Sequence, residues 1–211
     1  MSTTRVSNPR SLSSTGGLSP IVGLSAAIAA GVLVGALTAY GQGWLGDSTT
    51  SLANSAGPWS LAAFVAARCN RPVLPAMVAA MLTLACCELG YALANEFRGG
   101  SNSTSTVTFW LAAAVLAGPP IGIAAAWSTR RGPHRSVGFA VIGGVLVGEG
   151  LYGWTTVAAT TDWRYWAVES LIGMIVVSVG AARSRSPRHV LAAVATGTLT
   201  ATVVFSFGRL A

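Results

Sequence analysis

Seven apolar runs, each long enough to cross a lipid bilayer, settle most of what this chain can fold into. A hydrocarbon core about 30 Å thick takes roughly 20 residues of helix to span. The runs cover residues 20–45, 52–68, 73–95, 106–127, 136–160, 164–182 and 189–209. Only 9% of the residues are charged and 52% are hydrophobic, whereas soluble domains carry about 25% charged residues. That deficit excludes a water-soluble fold. The expectation is an all-α integral membrane protein, with residues 1–19 a disordered cytoplasmic tail and 20–211 a seven-helix transmembrane domain. The first run is too long for a signal-peptide core and has no convincing cleavage site, so it is read as a helix.

A net charge of +7 suggests nucleic acid until the cations are located. All thirteen basic residues are arginines, and they sit between the apolar runs. With the N-terminus in the cytoplasm, the inner segments hold Arg5, Arg10, Arg68, Arg71, Arg130, Arg131, Arg135, Arg183, Arg185 and Arg188. The outer segments hold Arg98, Arg164 and Arg209. This bias predicts a plasma-membrane protein with N-terminus in and C-terminus out, and no nucleic-acid partner.

The chain also echoes itself. GVLVGALTAYG at 31–41 is matched by GVLVGEGLYG at 144–153, and VLPAMVAAMLT at 73–83 by VLAAVATGTLT at 190–200. Helices 1–3 read as duplicated in helices 5–7, with helix 4 as linker, a parallel 3+1+3 repeat. The small-xxx-small pairs Gly31–Gly35 and Gly144–Gly148 read as packing seams.

Three acids lie inside apolar runs, where a charged carboxylate costs roughly 2.5–3.5 kcal/mol at a helix centre. Glu88, Glu149 and Glu169 all fall in the predicted outer half. Each has aromatic neighbours at i±3 or i±4: Glu88 has Tyr91, Glu149 has Tyr152, and Glu169 has Tyr165 beside Trp166. Trp44, Trp59, Trp110, Trp154, Trp163 and Trp166 belong to the same side, and only Trp127 to the other. An interfacial belt populates both sides, so the imbalance predicts an outer aromatic cavity. Its expected wall is Tyr91, Tyr152, Trp154, Tyr165 and Trp166, with Trp59, Trp110 and Tyr40. Glu149 is expected to be the most desolvated acid. Asp47, Glu96 and Asp162 read as solvated surface charges. Cys69, Cys86 and Cys87 form no disulfide or metal pattern. His134 and His189 fall in basic loops, and no metal or cofactor motif is present, so neither is expected.

Burial disfavours a carboxylate anion, so an acid in such a place can stay protonated, and aromatic faces stabilise cations. Together these equip a site to protonate an alkene and guide the carbocation. Seven helices in just over 200 residues, with intramembrane acids, resemble the small membrane-bound terpene cyclases of meroterpenoid pathways, of the bacterial drimentine and fungal indole-diterpene types. That resemblance implies a metal-independent cyclase acting on a lipophilic prenylated small molecule within membrane lipid. It implies catalytic roles for Glu149, Glu169 and Glu88. The fungal proteins place an acid in their last helix; here HVLAAVATGTLTATVVFSFGRL has none, which leaves Glu149 and Glu169 to supply that role. The layout also resembles membrane lycopene cyclases, without their Pro-x-Glu-Glu-type motif. GQGWLGDSTTSLANSAGPW at 41–59 resembles a stretch of uncharacterised actinobacterial membrane proteins. The alternatives are a small proton-coupled or facilitative transporter and an accessory membrane subunit.

Overall fold

Six of the seven apolar runs become long helices, and the seventh does not. The computed structural model describes residues 19–46, 50–70, 72–182 and 186–209. The expected tail lies, apart from Ser19, outside these residues, as do Asp47, Arg71, Arg183 and Arg185. The helices are α1 (Pro20–Trp44), α2 (Gly57–Arg68), α3 (Val73–Phe97), α4 (Thr104–Ser128), α5 (Pro133–Tyr152), α6 (Trp163–Ala182) and α7 (Pro187–Gly208). All but α2 are long and apolar enough to cross a membrane, which makes this a helical membrane-protein architecture. Proline occupies the first turn of α1, α2, α5 and α7, where its missing N–H costs nothing. Past Tyr152, α5 runs on through a π-helical turn, Gly153–Val157.

The second run was expected to be helical from residue 52, but residues Thr50–Asn54 form a 3-10 turn and α2 begins only at Gly57. Its 12 residues span about 18 Å, too little to cross alone. The cause is local. Pro58 donates no N–H and disfavours helical geometry in the residue before it, so Gly57–Pro58 is a place for a helix to start. The chain therefore returns from the Trp44 end of the bundle through an irregular stretch, and α2 completes the passage to the end that carries Arg68.

Packing is inverted relative to a soluble protein. Ala27, Ala39, Ala63, Ala76, Ala79 and Ala80 are fully buried, while Leu33, Leu37, Leu93, Leu116, Leu191 and Leu199 are more than half exposed. Small residues inside let helix backbones approach, and the large apolar ones are left for lipid. The seams are glycines. A Cβ on Gly31 would overlap the Thr83 carbonyl oxygen and one on Gly35 that of Cys87, both joining α1 to α3. One on Gly148 would overlap the Ala201 carbonyl oxygen, and Gly144 meets Gly197, joining α5 to α7. Gly118 and Gly122 seat α4 against Met81 and Met77 of α3.

Candidate functional site

The start of α2 is what the buried acids surround. A helix leaves its first N–H groups without intrahelical partners, and at α2 no side chain of its own helix caps them. Glu149 of α5 supplies the acceptor: its Oε1 takes the Ala56 N–H at 2.6 Å and the Ser55 hydroxyl at 3.0 Å. The same Ser55 oxygen lies 3.2 Å from Glu169 Oε1 of α6 and accepts the Gly57 N–H at 3.2 Å. Three segments far apart in sequence thus meet at one hydroxyl. The partial positive charge at a helix N-terminus favours negative charge there, so α2 and the acids stabilise each other.

Gly57 makes the approach possible. A Cβ at this position would overlap Glu169 Oε1 and come within 3.1 Å of both Glu149 Oε2 and Leu146 Cδ2. Glu169 is buried at 5% exposure, and its Oε2 has no hydrogen-bond partner. Glu149, expected to be the most desolvated acid, is packed against the start of α2 and keeps some accessible surface. Tyr165, one turn before Glu169 on α6, sets its ring edge-on to Trp166 with centroids 4.9 Å apart.

Glu88 is as buried as Glu169, at 3% exposure, yet among the described residues it forms no hydrogen bond. It shares a face of α3 with Leu84 and Tyr91, which adjoin Trp59 of α2. That places it on the Trp59 side of α2, while Glu149 and Glu169 meet at the α2 start.

The predicted aromatic wall divides into separate groups. Trp59, Trp110 and Tyr91 cluster, with ring centroids of Trp59 6.2 Å from Trp110 and 6.3 Å from Tyr91. Trp59 and Trp110 line an apolar cavity of about 70 Å³ together with Ala56, Ser60 and Leu84. Ala56 is common to this cavity and to the acid cluster. Trp166 instead serves the fold: it is buried against Gly153 and donates its indole N–H to Thr161 Oγ1 at 2.8 Å. Tyr152 packs on Gly208 of α7. Trp154 pairs with Trp163 on the exposed surface, and Tyr40 pairs with Trp44 under the Arg98 guanidinium. Tyr91 gives its hydroxyl proton to Gln42 at 2.9 Å, and Trp59 its N–H to Thr38 at 3.0 Å.

Ser55, Ala56 and Gly57 are the residues that sequence reasoning missed. Their signal is Asn54-Ser55-Ala56-Gly57-Pro58, turn-forming residues inside an apolar run. Among the described residues no three His, Cys, Asp or Glu side chains are grouped to hold a metal ion.

No curated protein and no solved structure matches the chain. One family does, described as "Family of unknown function (DUF6518)", and it matches residues 15–211. That range includes all seven helices and the whole acid cluster, so the chain belongs to the DUF6518 family.

Proposed function

We propose that this chain is a small proton-coupled membrane transporter worked by the Glu149–Glu169 pair. The observation that carries the reading is the chain break: α2 begins inside the bundle and turns its first N–H groups onto an acid. Discontinuous helices with half-helix ends aimed at charged groups are a recurrent way for transporters to build sites within the membrane. Hydrogen counting supports a proton as the coupling ion. Ser55 has a single hydroxyl proton, and it already accepts from Gly57. Its close approaches to both carboxyls are satisfied together only when one carboxyl brings a proton of its own. Glu149, which accepts from Ala56, takes the role of the anion. Glu169, with an unpartnered Oε2, takes that of the neutral acid. Exposure to one side and then the other lets the pair exchange that proton for a cationic or hydrogen-bonding solute.

In this reading the irregular return and α2 count as one crossing, for seven in all. The arginine bias sets the N-terminus inside and the C-terminus outside the cell membrane. The repeat is supported by the seams: Gly31 and Gly35 recur as Gly144 and Gly148, and each pair meets the third helix of its own triplet. Reconstitution into sealed liposomes with a pH gradient and an internal pH dye tests the proposal. A panel of organic cations and polyols should include solutes that drive proton flux in the native protein and none in Glu149→Gln. Native-level flux in both Glu149→Gln and Glu169→Gln overturns it.

One observation favours the terpene-cyclase reading as second: the Trp59–Trp110 cavity shares Ala56 with the acid cluster. There Glu169 would protonate an alkene carbon, the rings would face the cation, and Glu149 would take the terminating proton, an isomerisation without net proton change. At about 70 Å³ the cavity falls well below the roughly 300–1,000 Å³ of ligand pockets, so a prenyl chain needs α4 to move away. Detergent-solubilised protein incubated with a farnesylated indole decides: a cyclised isomer formed without any gradient promotes this reading over the first.

A further inference from the structure

At the opposite end of the bundle from Trp44 and Trp163, a second cavity of about 440 Å³ is lined by Arg68, Ser128, Thr129 and Arg135. We propose that it binds an oxyanion of the phosphate type, gripped between Arg68 and Arg135. The two guanidiniums share one ring: Arg68 Cζ lies 5.5 Å and Arg135 Cζ 6.0 Å from the Phe139 centroid. Like charges gathered on one ring repel unless a counter-charge joins them. Among the described residues the protein brings none to the cavity lining. Its six acids are Asp47, Glu88, Glu96, Glu149, Asp162 and Glu169, and none is among the residues that line the cavity. Among the described residues the only ion pair is Arg164–Asp162.

A further observation points to a ligand. Arg135 Nε is buried without a hydrogen-bond partner, and a desolvated donor of a charged group is expensive to leave unmet. Ser128 and Thr129 give their protons to the carbonyls of Ala125 and Ala126 at 2.7 and 2.8 Å, and neither hydroxyl oxygen accepts from Arg135 Nε. What the cavity offers is two planar N–H forks, the geometry that grips phosphate oxygens in pairs. The Arg68 guanidinium also lies over the Phe64 ring, 5.9 Å from its centroid, and such cation–π contacts lower the ordering cost of binding. The oxyanion has two sources, the headgroup of an anionic lipid or a free phosphate.

Two probes separate them, both with the full-length protein. Inorganic phosphate is titrated into protein in a neutral detergent, and thermal stability is measured in phosphatidylcholine nanodiscs with and without phosphatidylglycerol. A rise in Tm with phosphatidylglycerol alone identifies a lipid headgroup, and saturable phosphate binding identifies the free anion. In either case Arg68→Gln and Arg135→Gln should weaken the effect at least tenfold. Arg135→Lys, which keeps the charge but not the fork and guards against misfolding of the glutamine variant, should weaken it by less. The paired control Arg130→Gln/Arg131→Gln alters exposed arginines and should change it little. The proposal is overturned if neither probe acts, if the cavity variants respond as the native protein does, or if the control loses the effect equally.

Discussion

Glu169 and Glu88 have the same side chain and nearly the same burial, 5% and 3% exposed, but they sit in opposite circumstances. Glu169 shares Ser55 with a second acid at the start of a helix. Glu88, among the described residues, has no hydrogen-bond partner. Burial alone therefore does not mark a site in this bundle. What marks it is a supply of polar partners, and α2 supplies them by beginning where it does.

The sharpest way to break this contrast is Gly57→Val. The added side chain intrudes on both acids of the pair and should abolish solute-driven proton flux. Overpacking of this kind also costs about 1–3 kcal/mol, readable as a lowered Tm. Next come two replacements of Glu149. Glu149→Leu strands the Ala56 N–H, at about 1–3 kcal/mol for an orphaned group, and leaves the Ser55 hydroxyl only Glu169, so it should lose both flux and stability. Glu149→Gln retains an oxygen for Ala56 and should lose flux while keeping its Tm within a few degrees. If both variants transport normally, the pair is only a helix cap. A smaller effect is expected from Ser55→Ala, which removes one bridging hydroxyl worth about 0.5–1.5 kcal/mol and should slow flux without ending it.

Glu88 gives the smallest effect and the opposite sign. Replacing an unpartnered buried acid with an apolar group of similar size removes a desolvation cost. Glu88→Leu should raise the Tm by a few degrees and leave flux close to native. Loss of flux as complete as in Glu149→Gln would erase the distinction between the two acid sites.

Element boundaries were largely legible in the sequence, because a long apolar run has few options other than helix. The expected starts near 20, 73 and 164 lie within a residue or two of α1, α3 and α6. Hydropathy hid the break at Ser55–Gly57, since small neutral residues do little to interrupt an apolar run. Recognition of the three acids came from their cost in hydrocarbon, but which two of them meet depends on contacts between helices. Helical spacing put Tyr152 on the face of Glu149, yet Tyr152 turned to Gly208 and Glu149 to Ala56. Spacing reports neighbours along one helix and is silent about the helix opposite. Trp166 shows a related limit, for its indole is fully occupied within the fold.

The late partners of α2 also set an order of events while the protein is being made. The Ala56 N–H, at the cap of this helix, waits for a residue 93 positions downstream, and Ser55 for one 114 positions downstream. At ribosomal speeds of about 5–20 residues per second, that is a delay on the order of ten seconds. During it, α1 and α3 can already close along their glycine seam, with α2 still uncapped between them. A chain halted after α4 would hold the first four helices with the Ala56 N–H unsatisfied, and a quality-control protease would find its opening there.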